Sequence, residues 1–137
     1  MKSRHPAYRR YARRMAIAAA AYIAAIFVAV RVLPKNAPPG IESVAIALVP
    51  GLAVLGMIWG FARLLVELDD EYLRLLEVRK ALISLGLTLA VTSMWGLLET
   101  FTTVPRLPIF WIFPIWALGL FVGMVWNKFT LGDGGCA

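Results

Sequence analysis

Four long apolar runs alternate with short polar stretches along the chain, at about residues 15–33, 41–65, 81–101 and 109–126. Each run is close to the ~20 residues that an α-helix needs to cross the hydrocarbon core of a bilayer. The pattern predicts an all-α, integral membrane four-helix bundle with short outer loops. It also predicts three parts: a basic arm at residues 1–14, a single four-span membrane domain at residues 15–129, and a short tail at residues 130–137.

The longest charged segment, residues 63–80, lies between the second and third apolar runs and holds 9 of the chain's 22 charged residues. Residues 61–85 contain no glycine or proline, which favours helix on both sides of a short break. Asp69 or Asp70 is the natural break, because either can cap the helix that follows. We call residues 69–80 the hub and interpret it as a charged helical hairpin between spans 2 and 3.

Two interpretations of the hub stay open: a solvated connection between two spans, or a docking face for a cytoplasmic partner. The docking hypothesis rests on six charged residues, Asp69, Asp70, Glu71, Arg74, Glu77 and Arg79.

Small residues recur at four-residue spacing within the apolar runs. Gly56 and Gly60 form one pair and Gly119 and Gly123 another. Small residues at this spacing let helices approach closely in lipid, so both pairs are predicted to pack against a neighbouring helix. Pro50 is expected to kink the second span.

Ser84, Thr88 and Thr92 lie on one side of the third span. Their hydroxyl groups can bond to helix carbonyls and join helices, or they can line a permeation path. Glu99, near the end of the same span, is interpreted as an interfacial acid with Arg31 or Arg106 as its partner.

Composition supports a membrane protein: 61% of the 137 residues are hydrophobic, 16% are charged, and mean hydropathy is +0.76. The net charge of +6 lies beside the spans and therefore suggests contact with anionic lipids rather than with nucleic acid. Eleven Lys and Arg residues fall in the arm, the hub region and the tail, against three in the other loops. The positive-inside rule then predicts that both termini are cytoplasmic. Four arginines of the arm lie just before the first span: Arg9, Arg10, Arg13 and Arg14. We interpret them as an orientation signal or a lipid clamp.

Catalytic chemistry is not apparent in the sequence. The single histidine, His5, is in the arm, the single cysteine, Cys136, is in the tail, and the middle of every span lacks an acid. A nucleophile with its base, a carboxylate pair or a metal site cannot be assembled from these residues. We therefore expect a non-enzymatic protein without a cofactor or a bound metal.

Several motifs lie in the second half of the chain: Asp70-Glu71 with Arg74, Glu77 and Ala81, then Trp95-Gly96-Leu97-Leu98-Glu99, then Trp111-Ile112-Phe113-Pro114. Together they resemble an uncharacterised family of small proteobacterial four-span inner-membrane proteins. Members of that family are often encoded beside a small helix-turn-helix regulator. The resemblance implies a protein of the bacterial inner membrane that sequesters or signals to such a regulator through its hub.

The leading functional hypothesis is thus a non-enzymatic module that binds a protein partner through the hub, with a cytoplasmic regulator as the expected partner. One alternative is an accessory subunit of a larger respiratory or photosynthetic membrane complex. A second is a small-solute channel or transporter, with the Ser84, Thr88 and Thr92 stripe and the Pro50 kink lining the path. A homo-oligomer is compatible with all three.

Overall fold

The computed structural model describes residues 6–36 and 38–135, and four long α-helices account for most of them. They are α1 (Pro6–Val32), α2 (Ile41–Glu67), α3 (Glu71–Phe101) and α4 (Ile112–Leu131), with a single 3-10 turn at Ile109–Trp111 before α4. Each helical stretch is long and apolar enough to cross a membrane, with a mean hydropathy between 1.8 and 2.2 in its most apolar window. The predicted all-α class and the predicted four candidate spans are confirmed. His5 and Cys136 lie outside the described residues.

The helices form two compact units. Among the described residues, the first unit contains α1 and α2 and ends at Glu67, and the second begins at Leu68 and contains α3 and α4. Each unit is a helical hairpin.

In the first unit, α1 begins at Pro6, so the basic residues of the predicted arm from Arg9 onward lie on the first turns of a helix. The rings of Tyr11 on α1 and Phe61 on α2 pack edge to face, with ring centroids 6.4 Å apart. Pro50 lies inside α2, which continues past it. These two helices therefore extend beyond the apolar runs that mark them in the sequence.

The predicted packing role of Gly56 and Gly60 is met only in part. Both face α1, but a Cβ added at Gly56 would lie 3.9 Å from the Ala18 Cβ, and one at Gly60 would lie 3.8 Å from the Arg14 Cβ. These are ordinary van der Waals distances. The pair lies in the α1–α2 contact, yet the contact has room for a methyl group at either position.

The second unit begins with the predicted cap. Asp70 is the N-cap of α3, and its Oδ1 accepts hydrogen bonds from the backbone N–H groups of Tyr72 (2.8 Å) and Leu73 (3.3 Å). This satisfies two of the donors that the first helical turn leaves without a partner. At the other end of the unit, Gly132 ends α4 with a left-handed φ of 74°, and its N–H donates to the Lys128 carbonyl.

The α3–α4 contact is much closer than the α1–α2 contact. A Cβ added at Gly119 would lie 2.7 Å from Ser84 Oγ and 2.8 Å from Ser84 Cα. A Cβ added at Gly123 would lie 2.7 Å from the Lys80 carbonyl oxygen and 3.0 Å from Lys80 Cα. Neither position has space for a side chain, so this pair packs as its spacing predicts.

Within the described residues of the second unit, Glu99 forms no ion pair with Arg106, one of its two possible partners. Glu99 Oε1 accepts a hydrogen bond of 2.6 Å from the Leu107 backbone N–H. The loop after α3 folds back onto the helix and places this N–H, rather than the Arg106 side chain, at the carboxylate.

Candidate functional site

The hub occupies the part of α3 that one membrane span does not need. α3 has 31 residues and is therefore about 46 Å long at ~1.5 Å per residue. A hydrocarbon core of ~30 Å takes only about 20 residues. Residues 71–80, at the charged N-terminal end of the helix, match this excess of about ten residues in number.

Two of the predicted docking residues have structural partners. Asp70 caps α3 through its Oδ1, and Arg74 Nη2 donates a hydrogen bond of 2.5 Å to the Leu68 carbonyl oxygen. Both residues remain solvent-exposed, but their polar groups hold the start of the helix. Changing either one would alter the helix end as well as any surface that it presents.

Glu77 corrects the predicted docking face. Its side chain is completely buried, and its Oε2 lies 2.5 Å from Nζ of Lys80, whose side chain is also buried. A Cβ added at Gly135 would lie 2.8 Å from Glu77 Oε1, so the segment after α4 covers this carboxylate. Glu77 therefore belongs to the interior of the second unit and offers no surface to a partner.

Asn127 on α4 is a further buried polar residue that the sequence analysis missed. Its Nδ2 donates a hydrogen bond of 2.9 Å to the Leu76 carbonyl oxygen, one residue before Glu77. A signal was present, because Asn127 follows 20 consecutive apolar or aromatic residues, 107–126. The carboxyl half of the hub is thus tied to α4 by Asn127 and by the close approach of Gly123 to Lys80.

The amino half of the hub remains accessible. Asp69 and Glu71 are exposed, and two apolar side chains are exposed beside them, Tyr72 at 47% and Leu75 at 60%. Glu71 and Leu75 are four residues apart and Tyr72 and Leu75 three apart, so they are neighbours on the helix surface. We call Asp69, Glu71, Tyr72 and Leu75 the hub face. It combines negative charge with apolar area.

The basic residues of α1 divide into two groups. Arg10 Nε and Arg14 Nη1 bind the Glu67 carboxylate at 3.0 Å and 2.8 Å, and Arg63 Nη2 lies 3.4 Å from it. Arg9 and Arg13 point to solvent. Of the four predicted lipid or orientation residues, Arg9 and Arg13 thus form no ion pair with the described residues of the first unit.

Trp59 also belongs to this end of the first unit. The guanidinium groups of Arg14 and Arg63 lie 5.4 Å and 6.0 Å from the centroid of its ring, within the range of cation–π attraction. Neither Trp59 nor Glu67 was predicted from the sequence, because both lie on α2 and meet Arg10 and Arg14 only when α1 packs on α2.

The stripe on α3 bonds to backbone carbonyls. Ser84 Oγ donates to the Trp116 carbonyl oxygen of α4 at 2.5 Å. Thr88 and Thr92 donate to the Ser84 and Thr88 carbonyl oxygens of their own helix at 2.8 Å and 2.7 Å. Within the second unit, the buried Ser84 thus joins two helices and the two threonines bond along one.

No group of three or more His, Cys, Asp or Glu side chains within residues 6–36 and 38–135 is placed to hold a metal ion. Comparison of the chain with protein-family models, with curated proteins and with solved structures finds no match. The resemblance to small inner-membrane proteins therefore rests on the sequence motifs alone.

Proposed function

We propose that this chain is a non-enzymatic, four-span protein of the bacterial inner membrane that binds a cytoplasmic protein through the hub face. In this proposal both termini and the hub lie in the cytoplasm, and all four helices cross the bilayer. The partner that fits best is a small regulator.

The length and surface of α3 carry the proposal. A helix that exceeds one span by about ten residues projects its charged end beyond the hydrocarbon core. Tyr72 and Leu75 expose apolar area, and removal of apolar area from water is favourable in free energy. Their burial against a partner would recover that free energy.

The charges of the hub face describe the partner. Asp69 and Glu71 are exposed and acidic, and Arg74 has its guanidinium group turned to the Leu68 carbonyl. A partner with a basic rim around an apolar centre complements this surface, because interfaces place apolar side chains at the centre and charges at the edge. A DNA-binding regulator carries basic patches, which would match the acidic residues of the hub face.

The proposed orientation in the membrane follows from the positive residues near the ends of α1 and α4. Arg9 and Arg13 are exposed at the start of α1, and Lys128 is exposed near the end of α4. Positive residues beside spans stay on the cytoplasmic side and attract anionic lipid headgroups by ~1 kcal/mol each. This supports a cytoplasmic location for both termini.

The test is affinity purification of the tagged protein from its native membrane in mild detergent, with bound proteins identified by mass. The informative variant is Asp69→Lys/Glu71→Lys, which reverses charge on the hub face and spares Asp70 and Arg74. We expect it to reduce the recovered partner by about tenfold or more, because like charges across an interface are strongly unfavourable.

Glu42→Lys is the matched control. Glu42 is an exposed acid in the first turn of α2, as Glu71 is in the first turn of α3, so both changes place a cation at a helix N-terminus. The control should insert, fold and retain the partner. Equal loss of the partner in both variants would refute the role of the hub face.

The identity of the recovered protein decides between function classes. A small DNA-binding protein, lost from the hub variant alone, would support the regulator proposal. A respiratory or photosynthetic assembly would replace it with the accessory-subunit alternative. Recovery of the chain alone would refute partner binding and direct the next experiment to solute flux in liposomes.

A further inference from the structure

A half-open pocket of about 130 Å³ lies within the second unit, where the end of α3, the following loop and the start of α4 meet. It is at the opposite end of α3 from the hub, and the proposed function does not use it. Its walls are mostly apolar, and Glu99 contributes the only ionisable side chain among the lining residues. The main contributors are Trp95, Glu99, Leu107, Pro108, Ile109 and Ile112.

One of the two oxygens of the Glu99 carboxylate accepts a hydrogen bond. Oε1 accepts the hydrogen bond from the Leu107 N–H at 2.6 Å, which fixes the orientation of the group. Within residues 6–36 and 38–135, no ion pair or further hydrogen bond engages the other oxygen, Oε2. The pocket thus contains an oriented carboxylate with one oxygen still able to accept.

Trp95 lies one helical turn before Glu99 and lines the same pocket. Its Nε1 donates a hydrogen bond of 3.3 Å to the Pro105 carbonyl oxygen, which ties the indole to the loop. An aromatic ring next to a carboxylate is the combination that attracts an organic cation, because the ring face and the carboxylate are both negative.

The remaining lining residues limit what that cation can be. A hard metal ion needs about six oxygen ligands, and one carboxylate among apolar walls cannot supply them. An anion would be repelled by Glu99. A neutral apolar molecule would leave the carboxylate without a partner. The volume is below that of a typical drug-sized pocket, so the bound group must be small.

We propose that this pocket binds a small alkylammonium group, with the cation between Glu99 Oε2 and the Trp95 ring and its methylene or methyl groups against Leu107 and Ile109. The ammonium can come from the headgroup of a membrane lipid or from a free amine. The two sources share the same chemistry at the site.

The test uses the full-length protein in lipid nanodiscs with ¹⁵N-labelled tryptophan indoles. The Trp95 signal is assigned by its loss in Trp95→Phe. Choline is the probe, and 3,3-dimethylbutan-1-ol is its uncharged isostere. In nanodiscs of phosphatidylglycerol, we expect choline to shift the Trp95 signal saturably, and the isostere to leave it almost unchanged.

Glu99→Gln is the matched variant, because its amide oxygen can still accept from the Leu107 N–H while the charge is lost. It should keep the Trp95–Pro105 contact and weaken choline binding by up to about fivefold, the size expected for loss of one partly exposed ion pair. Equal shifts by choline and its isostere, no saturable shift in the native protein, or undiminished binding by Glu99→Gln would each overturn the proposal.

The source of the ammonium is decided by lipid composition. If phosphatidylethanolamine in the nanodisc shifts the Trp95 signal in advance and raises the concentration of choline needed, the lipid headgroup is the ligand. If the choline titration is the same in both lipids, a free amine is the ligand. Both results leave the alkylammonium site in place.

Discussion

The glycines on α4 provide the sharpest test of how the second unit is held together. We expect Gly119→Ala and Gly123→Ala to destabilise the protein, and Gly56→Ala and Gly60→Ala on α2 to leave it equally stable or slightly more stable. All four changes add one methyl group to a helix at the same small-residue spacing. They differ in what that methyl group meets.

The magnitude follows from the distances. At Gly119 and Gly123 the added Cβ would meet α3 atoms at 2.7 Å, about 0.7 Å inside the 3.4 Å at which ordinary contact begins. Backbone atoms of Ser84 and Lys80 are among those it meets, so rotation of a side chain cannot relieve the clash. The two helices must separate.

Separation weakens the contacts that cross between α3 and α4. A gap of 0.5–1 Å forfeits roughly a quarter to a half of the dispersion attraction across it. It also stretches the Ser84–Trp116 and Asn127–Leu76 hydrogen bonds, each contributing about 0.5–1.5 kcal/mol. Overpacking of this kind costs ~1–3 kcal/mol, against a gain of up to ~1 kcal/mol from alanine's helix propensity.

The assay is reversible unfolding in mixed micelles, followed by tryptophan fluorescence as the fraction of denaturing detergent rises. Gly86→Ala is the control within the second unit, because nothing lies within 4 Å of a Cβ at that position. We expect the midpoint to fall for Gly119→Ala and Gly123→Ala only. A midpoint unchanged by these two, or lowered as much by Gly86→Ala, would refute the argument from close approach.

Two further changes test other contacts by the same unfolding assay. Asp70→Ala should cost about 1 kcal/mol, the usual effect of losing an N-cap, whereas Asp69→Ala should cost clearly less; equal effects would contradict the assignment of the cap. Lys80→Met should cost on the order of 3–5 kcal/mol because it leaves the buried Glu77 carboxylate without its cation, and Glu77→Gln/Lys80→Met should recover most of the loss. No recovery in the double variant would show that the pair is not the source of the effect.

The sequence predicts the helices well because each depends on local information. Hydropathy marks the four apolar runs, and the side-chain oxygen of Asp70 identifies the start of α3 by capping chemistry that involves only its own neighbours. The helix ends at the basic residues are less predictable. Hydropathy excludes the arginines after Pro6 from a span, yet they are part of α1, because arginine is a good helix former.

The burial of Glu77 in the hub could not be predicted from its neighbours in the sequence. The sequence places Glu77 among exposed charges, three or four residues from other charged side chains. Its burial depends on Asn127, Gly123 and Gly135, which follow it by 46 to 58 positions and meet it only when α4 packs on α3. Helical spacing assigns a residue to a face of its own helix, but the element that covers that face must be known separately.

Packing against α4 leaves only the amino half of the hub accessible to the proposed partner, among the described residues. Asn127 binds the Leu76 carbonyl and Gly123 packs on Lys80, so the carboxyl half of the hub is fixed against α4. The amino half is held by the Asp70 cap and by the hydrogen bond from Arg74 to the Leu68 carbonyl, and Tyr72 and Leu75 remain exposed there. A partner that binds the hub face therefore meets a helix end whose position is set by rigid packing one turn further along. Binding there would cost little ordering of α3, since the packing against α4 already restricts it.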